Sequence, residues 1–172
     1  MATMNPTMFV GGKLLPGQVP ATLALADGTV FRGYSIGAEG ITSGEVVFNT
    51  AMSGYQEVLT DPSYVFQMVT FTCPHIGNVG VNSEDAESDG IHASGVIVRD
   101  YDEHYANFRA KTSLGHYLKH NGIVGIGGID TRALVLHLRD NGAQMGVIAT
   151  GTHAPDELVD RAKNLPSMEG LD

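Results

Sequence analysis

Apolar and polar residues alternate along much of the first half of the chain, and recur at three- and four-residue steps in the second. A strand shows every other side chain to one face, and a helix returns to a face after about 3.6 residues, so the two rhythms predict different elements. ATLALA from Ala21, then Asp27-Gly28, then TVFRGYSI read as a hairpin, with Asp-Gly supplying a tight two-residue turn. Gly37 to Gly44 reads as a loop, and EVVFN (Glu45 to Asn49) as the next strand. The connection that follows holds GYQEVL, a candidate helical turn stopped at Asp61-Pro62, because proline drives the residue before it out of the helical region. QMVTFT (Gln67 to Thr72) and ASGVIVRD (Ala93 to Asp100) read as strands, and the acidic NSEDAESDG (Asn82 to Gly90) as an exposed loop.

From Thr112 the rhythm changes. Leu114, Tyr117 and Leu118 fall at helical spacing before an Asn121-Gly122 stop. IVGIGG (Ile123 to Gly128) is a short buried strand. Asp130 is placed to cap the helix TRALVLHLRD, where Ala133, Leu134, His137 and Leu138 form the repeating stripe. AQMGVIAT (Ala143 to Thr150) is another strand, and PDELVDRAKNL starts a last helix with proline and acidic residues in its first turn. Strands first, then strand alternating with helix, predict an α/β domain: an antiparallel N-terminal sheet, a partly parallel second sheet and a helical layer. Met1 to Pro20, punctuated by Pro6, Gly11, Gly12, Pro16, Gly17 and Pro20, is expected as a flexible arm.

Composition narrows the function classes. The 172 residues suffice for one domain with a real core. Ten basic against nineteen acidic side chains give a net charge of −9, so the basic footprint that neutralises nucleic-acid phosphates is missing. An anionic membrane surface is excluded on the same ground. One cysteine forbids an internal disulfide, and the first twenty residues lack a signal-peptide pattern. No window reaches the ~18 continuous apolar residues of a membrane span. A cytoplasmic location is expected.

Each candidate for chemistry has a plainer explanation. Cys73 and His75 could suggest a nucleophile and its base, but Pro74 fixes the backbone between them, and catalytic pairs of this kind normally meet through the fold. His116 and His120 lie four apart on a predicted helix, as a zinc pair would, yet no third ligand or general base accompanies them. Gly122 to Gly128 lacks both phosphate-loop patterns, and its glycines are better explained by close packing of a helix on a strand. Thr60-Asp61-Pro62-Ser63-Tyr64 is a rigid turn able to aim a hydroxyl and free N–H groups outward. Composition leaves open whether that turn is structural or touches a ligand.

Long motifs go further. GEVVFNTAMSGYQEVLTDPSY (Gly44 to Tyr64), PHIGNVG (Pro74 to Gly80), GVIVRD (Gly95 to Asp100), NFR (Asn107 to Arg109) and GIDTRALVLHLRDNGAQMGVI (Gly128 to Ile148) closely resemble the N-terminal domain of the carbamoyl-phosphate synthase small (glutamine-hydrolysing) chain. The resemblance covers roughly Leu23 to Asp172. It implies a three-layer β/β/α swivelling-type fold of class α/β, with mixed parallel and antiparallel sheets. Residues 21–152 would form that domain, after an arm at 1–20. Residues 153–172 would be a C-terminal helix and the start of a linker.

In the family a second domain, a class I glutamine amidotransferase, releases ammonia from L-glutamine with a cysteine, a histidine and a glutamate. A large chain then uses the ammonia with ATP, magnesium and bicarbonate to make carbamoyl phosphate for arginine and pyrimidine synthesis. The sequence in hand stops at Leu171-Asp172, about where the family passes toward its amidotransferase domain. Cys73 does not fall on the nucleophile's position, and the family more usually has an aromatic residue there. The resemblance therefore implies no catalytic residue, no metal and no cofactor site in this domain, and no glutamine hydrolysis by this chain alone. One ligand residue carries over: Ser63, in the LTDPS motif, matches a serine that the family's domain contributes to the glutamine site. The implied partners are the large chain, the small chain's amidotransferase domain and L-glutamine. Two rival readings are a free-standing binding or regulatory module without the amidotransferase, and a cysteine hydrolase built on Cys73 and His75.

Overall fold

The computed structural model describes residues 14, 16–50, 55–72, 91–99 and 114–166. Seven strands run through them: β1 (Pro20–Leu25), β2 (Val30–Ser35), β3 (Ile41–Asn49), β4 (Gln67–Phe71), β5 (Gly95–Ile97), β6 (Gly125–Gly127) and β7 (Gln144–Thr150). Four helices accompany them: α1 (Tyr55–Thr60), α2 (Leu114–His120), α3 (Thr131–Asn141) and α4 (Pro155–Lys163). A 3-10 turn, Pro62–Tyr64, sits between α1 and β4.

The strands close into one ring in the order β1-β2-β6-β5-β4-β3-β7, and β7 returns to β1 with Ile148 opposite Leu23. Neighbours from β3 through β4 and β5 to β6 are parallel. The β1–β2, β2–β6, β1–β7 and β3–β7 pairs are antiparallel. Parallel neighbours need a crossover connection, and α1 and α2 supply it between β3 and β4 and between β5 and β6. The expected α/β class with mixed pairing is present. The strands expected as two sheets are joined edge to edge in one ring.

The inside of the ring is buried and helices cover parts of its outside, and the alternation of side chains shows how. Leu23, Leu25, Phe31, Val46, Met68, Ile97, Ile126 and Ile148 point inward from all seven strands and meet Ile129, Leu134 and Leu138 at α3. Their strand neighbours point out: Val69, Phe71, Val96 and Val98 pack under Leu59 of α1 and Leu114 and Leu118 of α2. Ala24, Val147 and Ala149 pack under Leu158, Val159 and Ala162 of α4. Each fully buried aliphatic side chain contributes about 1.5–3 kcal/mol.

Several boundaries differ from the sequence expectation. β3 starts at Ile41, inside the expected Gly37–Gly44 loop, because Ile41 to Val46 pair with Ala149 to Gln144 of β7. Gly44 there reflects crowding. A Cβ on Gly44 would stand 2.6 Å from the Phe66 carbonyl oxygen. The β5 ladder is three residues long. Ala93, expected in the strand, instead forms an isolated bridge with Val65, and Asp100 lies outside the described residues.

The β1–β2 turn is not the two-residue type. The Leu25 amide donates to the Thr29 carbonyl at 2.8 Å across a three-residue loop, and only Gly28 takes positive φ, at 99°. The Asp27 carboxylate instead accepts from the Thr29 amide at 3.0 Å. Most of the expected arm and the acidic 82–90 loop lie outside the described residues, while Pro20 already belongs to β1.

Candidate functional site

The turn at Asp61 to Tyr64 is built from the helix before it. Gln56, Leu59 and Thr60 of α1 are buried, and the Thr60 hydroxyl donates to the Gln56 carbonyl at 3.0 Å. The Leu59 carbonyl accepts from the His92 amide at 2.9 Å and the Ala93 amide at 3.3 Å, pinning the end of α1 to the entrance of β5. Pro62 then forces Asp61 out of the helix, to φ −74° and ψ 121°.

From that conformation the Asp61 carboxylate caps the 3-10 turn, accepting from the Ser63 amide at 2.9 Å. The Tyr64 amide donates to the Asp61 carbonyl at 3.1 Å, and the Val65 amide to the Pro62 carbonyl at 3.2 Å. The Tyr64 hydroxyl accepts from the Asn49 side-chain amide at 3.0 Å. Phe66 reverses the chain into β4 at φ 64°, a region bulky side chains rarely occupy. Its carbonyl accepts from the Glu45 amide at 3.1 Å. Ser63 is therefore exposed on a turn whose backbone is fixed on every side.

The electrostatics fit a charged cap. The hydrogen bond from the Ser63 amide, a further one from the Ser63 side chain and the nearby His92 together hold the Asp61 carboxyl below its ordinary value. A serine hydroxyl becomes a nucleophile only beside an effective general base, and the Asp61 carboxylate that accepts from Ser63 is a weakened base because its pKa is lowered. What the arrangement can do is hold a polar ligand group by hydrogen bonding at a fixed position.

The other sequence candidates do not gather around Ser63. His116 and His120 are exposed on α2. Among the described residues no group of three or more His, Cys, Asp or Glu side chains could hold a metal ion. Cys73 and His75 lie outside the described residues, as do the PHIGNVG and NFR motifs. The glycine run packs closely, as expected: a Cβ on Gly125 would stand 2.8 Å from Ile36 and 3.2 Å from Leu118 of α2. Asp130 caps α3, accepting from the Ala133 amide at 3.0 Å.

Sequence reasoning missed three connections. The capping bond from Asp61 was available in the pattern, since an Asp two residues before an amide is the mark of an Asx turn. The Tyr64–Asn49 bond had no local signal. His137, expected in the apolar stripe of α3, instead meets Asp27 of the β1–β2 turn, Nε2 to Oδ2 at 2.5 Å. Partial burial raises the Asp27 pKa, but the bonds from Thr29 and the contact with His137 outweigh it, and the carboxyl lies below its ordinary value.

Fold and turn together define a class: a closed, mixed α/β domain that presents an exposed serine on a rigid crossover connection. Residues 23–148 match the family model described as carbamoyl-phosphate synthase small chain, CPSase domain. The chain belongs to the carbamoyl-phosphate synthase small chain family, and it corresponds to the N-terminal region. It is 57% identical over 159 residues to the carbamoyl phosphate synthase small chain of Ralstonia nicotianae, covering 92% of this chain and 42% of that protein. The counterpart from Polynucleobacter necessarius is 56% identical over 165 residues, covering 92% and 42%. That of Vibrio cholerae is 57% identical over 153 residues, covering 88% and 40%. The chain thus spans about two fifths of the length of these relatives.

Proposed function

We propose that this chain acts as a scaffold and docking domain of a glutamine-dependent carbamoyl-phosphate synthase, and that Ser63 supplies one hydrogen bond to bound L-glutamine. The observation that carries the reading is the exposed Ser63 on a turn fixed by Asp61, Pro62 and Tyr64, within the segment that matches the family. A hydroxyl so held costs little to organise when a polar ligand arrives. Glutamine hydrolysis belongs to a separate amidotransferase domain. ATP and magnesium belong to the large chain, whose product feeds arginine and pyrimidine synthesis in the cytoplasm. Family membership supports both the docking role and the large-chain partner. On its own the chain is inactive toward glutamine, since its lone cysteine, Cys73, does not match the family's nucleophile.

The test compares glutamine with free ammonia as nitrogen source in the assembled enzyme. Ser63→Ala is expected to raise the KM for glutamine while the ammonia-dependent rate stays near normal. A parallel fall in both rates would mean that Ser63 serves folding or assembly, and would overturn its assignment to the glutamine site. Ammonia release from glutamine by the purified chain alone, at an enzyme-like rate, would overturn the scaffold reading.

A further inference from the structure

We infer that Asp61 is a positioning residue for the glutamine site, acting through Ser63; the inference rests on the proposed role of Ser63. Asp61 takes hydrogen bonds on its carboxylate from both the backbone and the side chain of Ser63. Its carboxylate accepts from the Ser63 amide at 2.9 Å, and its own backbone carbonyl accepts from the Tyr64 amide at 3.1 Å. These two bonds span Ser63 from both sides. Downstream, Tyr64 is anchored to Asn49 at the end of β3.

The residue is fully exposed, so packing does not explain why the side chain takes this orientation. A capping carboxylate that bonds the amide two residues on removes the freedom of the intervening backbone. It thereby fixes the Ser63 Cα–Cβ bond, and the hydrogen bond from the Ser63 side chain to the same carboxylate sets the direction of Cβ–Oγ. A hydroxyl misdirected by even a small rotation loses its hydrogen bond to a ligand that is itself held elsewhere. The ionised carboxylate also makes the amide bond a charge-assisted one. Asp61 touches neither the reacting atoms nor the ligand in this scheme. Its effect reaches glutamine only through the serine.

The experiment uses the assembled, glutamine-using enzyme containing this chain, and reads KM and kcat for glutamine together with the ammonia-dependent rate. Asp61→Ala is expected to raise the glutamine KM about fivefold to tenfold, the scale on which capping side chains act. The kcat at saturating glutamine and the ammonia-dependent rate are expected to be unchanged. Asp61→Asn keeps an acceptor oxygen at the same place and should restore most of the loss. Asp61→Ala combined with Ser63→Ala should be no worse than Ser63→Ala alone, because the two act in series.

Additive losses in the double variant would overturn the inference, as would a failure of Asn to rescue or a fall in the ammonia rate. An unchanged KM in Asp61→Ala, with KM raised in Ser63→Ala, would overturn the inference and leave the role of Ser63 intact. An unchanged KM in Ser63→Ala would overturn that role itself, and the inference with it.

Discussion

The Tyr64 hydroxyl accepts a hydrogen bond from the Asn49 side-chain amide at 3.0 Å, joining residues 15 apart in the chain. The bond ties the turn after α1 to the end of the strand before it, so the crossover is closed at both ends. Tyr64→Phe removes the acceptor and keeps the ring that packs against the outer core. A loss of about 1 kcal/mol in urea unfolding is expected, the usual net contribution of one such bond. Faster amide exchange at Val65 than at Val69 would localise the loosening to the turn.

Phe66 stands at φ 64° and is 58% exposed, so its strain is not offset by burial. A left-handed backbone costs an L side chain about 1–2 kcal/mol, whereas glycine adopts it freely. Glycine also adds unfolded-state freedom worth about 0.5–1 kcal/mol. Phe66→Gly is therefore expected to be neutral to slightly stabilising, and Phe66→Val, β-branched, clearly destabilising. Denaturation midpoints of the two variants would separate in that order.

Gly33 sets a harder limit. A Cβ there would stand 2.0 Å from the Gly127 carbonyl oxygen, where β2 and β6 face each other. Backbone cannot swing aside as a side chain can, so Gly33→Ala should cost about 3 kcal/mol or more. Gly122→Ala meets no atom within 4 Å and strains only its φ of 68°, so it should cost less. Thermal melts of the pair test whether close approach outweighs backbone conformation.

The Asp27–His137 contact gives a pH dependence of known sign. The folded-state pKa of Asp27 lies below its ordinary value, so its contribution is present above the unfolded pKa and lost as pH falls through the folded one. The pair is partly exposed, and screening holds the effect to about 1 kcal/mol or less. Lowering the pH from 6 to 3 should destabilise the wild type more than Asp27→Asn. Equal losses in urea titrations of both proteins would remove Asp27 from the account.

Where the chain speaks locally, the fold was legible. The strand–helix–strand order of β3, α1 and β4, the Asp130 cap and the proline start of α4 all followed from short-range rules, whereas the parallel pairing of β3 with β4 did not. Ring closure did not, because it joins distant segments: the Gly40 amide donates to the Thr150 hydroxyl across 110 residues. The first half of β3 resembled a loop because Thr42 and Gly44 lie close to neighbouring backbone, with Thr42 beside Gly95 and Gly44 beside Phe66. Ser63 was legible as part of a rigid turn, and the ligand role proposed for it rests on the family motif. Asp61's cap was readable from spacing, whereas Tyr64–Asn49 and Asp27–His137 depend on how separate elements dock.

Closure of the ring also limits how anything else can join this domain. Every strand is flanked by a neighbour on both sides for at least part of its length, so none has a whole side of unpaired amides and carbonyls. Such open edges are what an extended peptide needs in order to add itself as a further strand, and they also nucleate aggregation. Among the described residues, the surface left for a partner is therefore made more of side chains than of open strand backbone. The domain is protected from promiscuous strand pairing by the same backbone bonds that hold it together.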